Sequence, residues 1–104
     1  MTTFDDRERG FETKFALDAE QAFKVVARRN KALGLWAGGI LGKDGAELDD
    51  YVREVMRADL KEAGDEDVFR KVSEDLAGRE QPDAVRAKMD ELSRTAQQQI
   101  AAGE

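Results

Sequence analysis

The side chains able to do chemistry in this 104-residue chain are almost all carboxylates and amines, because it contains no histidine and no cysteine. Thiol nucleophiles, imidazole bases and cysteine-histidine zinc sites are therefore excluded. Asp44, Asp49 and Asp50 raise the question of calcium, but the ligand spacing and loop glycine of an EF-hand are missing. Gly34, Gly38, Gly39 and Gly42 are not followed by Gly-Lys-Ser/Thr, so they make no phosphate loop. Without a convergent acid, base or nucleophile, no catalytic site, cofactor site or metal site is expected.

A different chemistry stands at the N-terminus. Phe4 and Phe11 lie among Asp5, Asp6, Arg7, Glu8, Arg9, Glu12 and Lys14, with Phe15 at the junction to the rest. Spacings of seven and four put the three rings on one face of a helix. Gly10 costs that helix about 1 kcal/mol against alanine, so residues 1–14 read as a mobile arm that becomes helical when its rings are covered. Burying each ring is worth roughly 1.5–3 kcal/mol, and the cover is either the chain's own body or a partner. Phe15 also fits the core of the body.

The body that must position this arm is all-α. Residues 15–104 read as a compact four-helix bundle, with helices over about 18–41, 45–63, 66–77 and 82–101. The first stripe runs through Phe15, Ala19, Ala22, Phe23, Val26, Leu33, Trp36, Ala37 and Ile40. Asp18 caps this helix with Gln21 answering three residues later, and Gly42 stops it. Gly34 permits close approach of a neighbour, and Asn30, in register with the stripe, is a buried polar residue that fixes helix pairing. Asp44 with Glu47 has capping-box spacing before Leu48, Val52, Val55, Met56 and Leu60, with Tyr51 on the flank. Gly64 ends that helix, and Asp65 caps the third, which carries Val68, Phe69, Val72 and Leu76 and stops at Gly78. Pro82 opens the fourth, with Val85, Met89, Leu92, Ala96 and Ile100.

Charge is distributed unevenly over this plan. The chain holds 17 basic and 23 acidic side chains, net −6, yet residues 19–42 carry Lys24, Arg28, Arg29 and Lys31 against Glu20 alone. One basic helix thus lies between two acidic segments. It either neutralises the rest of the bundle or offers Arg28, Arg29 and Lys31 as secondary contacts to an acidic partner. An acidic chain is a poor match for nucleic acid. No apolar run approaches the roughly 20 residues of a membrane span, and no signal peptide is visible, so an intracellular protein without membrane insertion is expected.

The runs Phe4-Asp-Asp-Arg-Glu-Arg-Gly-Phe11-Glu-Thr-Lys-Phe15, Ala27-Arg-Arg-Asn-Lys31 and Leu33-Gly-Leu-Trp36 resemble the zeta inhibitor family of alphaproteobacterial F-type ATP synthases. Arg57-Ala-Asp-Leu-Lys-Glu-Ala-Gly64 and Lys88-Met-Asp-Glu-Leu92 extend the likeness along most of the chain. The resemblance implies a regulatory protein that is not an enzyme. Its partner would be the catalytic head of the synthase, which places it in the cytoplasm, peripheral to the inner membrane. It also implies that residues 2–15 block ATP hydrolysis, with Phe4, Asp5, Asp6, Arg7, Glu8, Arg9, Phe11 and Phe15 as the contact residues. Gly10 stands where a helix former is expected, and Leu17 where the family often has histidine, so imidazole-based pH control is absent. Taken from the residues alone, the alternative is a generic helical interaction or adaptor module.

Overall fold

A computed structural model of the chain describes residues 18–59 and 64–103. The eight expected arm contacts, Phe4 to Phe15, lie outside them, as do Leu60 and the end proposed for the second helix.

Among the described residues four helices follow from the punctuation in the sequence: α1 Ala19–Ile40, α2 Gly45–Ala58, α3 Glu66–Asp75 and α4 Pro82–Ala101. Among the described residues there is no strand. At the head of α1 the Gln21 amide donates to Asp18 Oδ1 at 2.8 Å, and the Asp18 amide donates back to Gln21 Oε1 at 3.2 Å. This capping box satisfies two amides that the helix itself leaves unpaired. Gly42 and Gly78 take φ of 78° and 83° just beyond α1 and α3, the left-handed turn that a Cβ would strain. Pro82 occupies the first turn of α4, where a missing N–H costs nothing.

Two expected caps do not form. Asp44 is extended and is followed by Gly45 at φ 54°, and its side chain makes no cap bond to α2. Asp65 also leaves the α3 amides uncapped and accepts from Arg29 Nη1 at 3.1 Å instead. The described part of α2 closes at Ala58, with Asp59 as its C-cap.

The helices form a ring in which α1 packs on α2 and α4, and α3 packs on the same two. The main core joins Leu33 and Ala37 of α1, Tyr51, Val55 and Ala58 of α2, Val68 and Val72 of α3, Leu76, and Val85 and Met89 of α4. A smaller cluster, Val25 with Ala96 and Ile100, ties the first half of α1 to the end of α4. Close approach of α1 and α2 depends on Gly34, where an added Cβ would come within 3.0 Å of the Val52 Cα.

Trp36 packs against the core as expected, whereas Tyr51 and the start of the α1 stripe, where Ala19 and Ala22 are exposed, depart from the expected faces. Tyr51 is buried rather than flanking. Trp36 is half-buried against the core, with Lys88 Nζ 5.6 Å from its ring. Phe23, expected in the apolar stripe, is 69% exposed; Val25 takes the inward position.

Candidate functional site

Helix lengths explain the exposed phenylalanine. At a 1.5 Å rise, the 22 residues of α1 run about 33 Å and the 14 of α2 about 21 Å. The two are joined at the end of α1, so the first turns of α1 project past the described end of α2. Phe23, Ala27 and Met56 floor a furrow there that opens two ways. One branch, of about 550 Å³, runs toward Ile100 and Gly103 of the α4 end, beside Lys24, Arg28 and Lys31. The other, of about 330 Å³, runs along α2 past Val26, Asn30, Arg53, Arg57 and Asp59.

Of the three cations expected to meet a partner, the structure brings Arg28 and Lys31 to this furrow with Lys24 and turns Arg29 away. Arg29 is 5% exposed: its Nε donates to Asn30 Oδ1 at 2.7 Å and its Nη1 reaches Asp65. A guanidinium so placed serves the fold, and its expected role as a partner contact is corrected accordingly. The neutralising reading of the basic helix holds at this residue. Asn30 is buried at 2% exposure, and the bond to Arg29 satisfies its oxygen. Arg28 Nη1 donates to Gln99 Oε1 at 3.1 Å across to α4, while Lys24 stands 3.7 Å from Glu20 in an exposed pair. Pairs of that kind are worth little and exchange readily.

Phe23, Val26, Met56, Arg53 and Arg57 were missed as furrow residues. Periodicity marks an apolar face but not the length over which a neighbour covers it. The excess of α1 over α2 was the available signal.

The second polar grouping lies elsewhere, where α2 meets α3. Tyr51 donates its hydroxyl to Asp75 Oδ2 at 2.9 Å, and Lys71 Nζ bridges Glu54 at 3.1 Å and Asp75 at 3.0 Å. Lys71 and Lys43 also lie 5.2 and 5.8 Å from the Tyr51 ring centre. Burial, then the hydrogen bond and the charge of Asp75, hold the phenol far above its ordinary range. These bonds join Tyr51 and Glu54 of α2 to Asp75 and Lys71 of α3, so the network braces the two helices. No group of three or more acidic side chains able to hold a metal ion is found among the described residues. No described helix is long and apolar enough to cross a membrane.

What remains is a surface, an apolar furrow with a cationic edge, on a helical body that begins at a closed cap. The family model of ATPase inhibitor subunit zeta matches residues 1–99, a span that takes in both the body and the N-terminal segment. The chain belongs to the ATPase inhibitor subunit zeta family. A solved structure, determined in solution by NMR, is 48% identical to this zeta-family chain, with a TM-score of 0.69. The similarity covers 79% of this chain and 96% of that one. No curated protein matches. Zeta-family membership makes this a protein of an ATPase-inhibitor family, and its described residues form an all-α bundle of four helices.

Proposed function

We propose that this chain restrains ATP hydrolysis by an F-type ATP synthase, with residues 1–14 entering the catalytic head and folding there into a helix. The observation that carries the reading is the family match, which runs through the N-terminal segment and is not confined to the bundle. The phenylalanines Phe4 and Phe11 act as apolar anchors. Asp5, Asp6, Arg7, Glu8 and Arg9 set register and electrostatic fit. Fourteen helical residues span about 21 Å, enough to reach into a groove between subunits. The bundle stays outside as a handle, and the capping box at Asp18 supports that division of labour because it closes α1 before the arm begins.

Deletion of residues 1–14 is the decisive experiment. The shortened protein is expected to lose inhibition of the isolated catalytic head while keeping the helical circular dichroism of the bundle. Equal inhibition by the two proteins would end the arm reading. A finer test is Gly10→Ala, which removes about 1 kcal/mol of helix penalty. It should lower the concentration needed for half-inhibition by up to about fivefold.

A further inference from the structure

The furrow has a built edge as well as an apolar floor. Lys24, Arg28 and Lys31 line it from α1, stepping four and then three residues along one side of Phe23 and Ala27. A phenylalanine left 69% exposed beside Met56 gains by being covered. Two observations choose the cover. The segment that precedes Asp18 joins the body at the furrow's own end, since Gln21 and Phe23 already line it. Asp18 itself is extended, with ψ 175°, so the chain leaves the axis of α1 there instead of prolonging it.

The second observation is the order of charges. Drawn as a helix, residues 4–15 put Asp5, Glu8 and Glu12 along one flank of the Phe4, Phe11 and Phe15 face, stepping three and then four. That is the spacing of the α1 cations in reverse. In an antiparallel pair centred on residue 18, Glu12 faces Lys24, Glu8 faces Arg28 and Asp5 faces Lys31, each pair equidistant from the centre. Residues 16–18 are then the turn, within the two to five residues that join antiparallel helices.

We propose that the furrow is the resting dock of the chain's own N-terminal segment, which folds back antiparallel on α1 with its phenylalanines over Phe23, Ala27 and Met56. The functional meaning rests on the arm reading above: rings held in the furrow are withheld from the ATPase, so docking is an off state.

The test uses the full chain, whose lack of cysteine allows a single nitroxide at Asp6→Cys, on the outward face of the drawn helix. Paramagnetic broadening of amide signals is expected to peak at Ala27–Lys31 and at Met56, and to leave Arg79 sharp. Broadening that is greatest at Ala19 and fades along α1 would describe a tethered but undocked segment and overturn the proposal. Mixing nitroxide-bearing chains with isotope-labelled chains that lack the nitroxide separates a second copy, since broadening in the mixture would mean that another molecule fills the furrow. Phe23→Glu, at an exposed site, should abolish the peak. It should also lower the half-inhibitory concentration by about three- to tenfold, because more of the arm is competent to bind. Unchanged or weakened inhibition by Phe23→Glu would overturn the off state. If the unaltered chain does not inhibit at all, the arm reading fails, while the broadening pattern still decides the dock.

Discussion

Ser73 on α3 carries a buried hydroxyl with no hydrogen-bond partner among the described residues. A hydroxyl removed from water without a partner costs about 1–3 kcal/mol, and alanine is the better helix former. Ser73→Ala is therefore expected to stabilise the bundle by about 1 kcal/mol, a rise in Tm of about 4–8 °C for a domain this small. Thermal unfolding followed by circular dichroism checks it, and a fall in Tm would mean the hydroxyl has a partner in solution. Arg29 shows the opposite resolution of the same problem. Its burial is tolerated because Asn30 and Asp65 receive its N–H groups, and that is why a residue reading as surface charge is interior. Nothing in the local pattern Arg28-Arg29-Asn30-Lys31 says which arginine turns in; the partner that decides it lies 36 residues away.

Element by element, the chain was legible where local chemistry alone sets the outcome. The Asp18–Gln21 box, the glycine stops at Gly42 and Gly78, and Pro82 in the first turn of α4 each depend on neighbours within a few residues. Legibility failed where the deciding contact is remote. Asp44 and Asp65 have capping sequence but make no cap bond; Asp44 is followed by a left-handed Gly45, and Asp65 is bonded by Arg29. Phe23 has the right period for a core stripe but stands beyond the described end of α2, so periodicity misassigned it and the furrow it floors. The arm residues lie outside the described positions, and their spacing remains the ground for assigning them a role. Two glycines of α1 make the packing argument testable. A Cβ at Gly39 meets nothing, so Gly39→Ala should stabilise by about 1 kcal/mol from helix propensity. At Gly34 a side chain meets the α2 backbone, so Gly34→Val should destabilise by about 1–3 kcal/mol as the two helices are forced apart. Urea unfolding midpoints measured side by side should move in opposite directions, and equal shifts would refute the close-packing role of Gly34.

At the scale of the whole molecule, the absence of histidine and the presence of a single tyrosine simplify the pH response. Tyr51 is pushed up by burial and by Asp75. Burial alone would lower the ammonium of Lys71, but its bonds to Asp75 and Glu54 outweigh that and raise it. Both groups hold their proton more tightly in the folded state. Their contribution is thus fully present below the ordinary phenol value of 10.0 and is lost as pH rises beyond it, when the unfolded chain has released protons that the native state retains. Stability should fall steeply above about pH 10. Denaturant midpoints across that range, together with the tyrosinate absorbance of the lone Tyr51, test this; a phenol that ionises at its ordinary value without unfolding would disprove it. Tyr51→Phe should flatten the alkaline slope while lowering the midpoint at neutral pH by loss of the Asp75 bond.

The cap at Asp18 has a kinetic consequence. Backward extension of α1 would have to break the box, whose two bonds already hold the Asp18 and Gln21 amides. On the proposed arm reading a helix there has to nucleate afresh, an improbable event for a short segment with a glycine at its centre until rings and charges find a surface. That reading makes ordering of the segment all-or-none, whichever surface receives it. Asp18→Ala would turn nucleation into elongation and trade that abruptness for a gradual, temperature-dependent lengthening of α1.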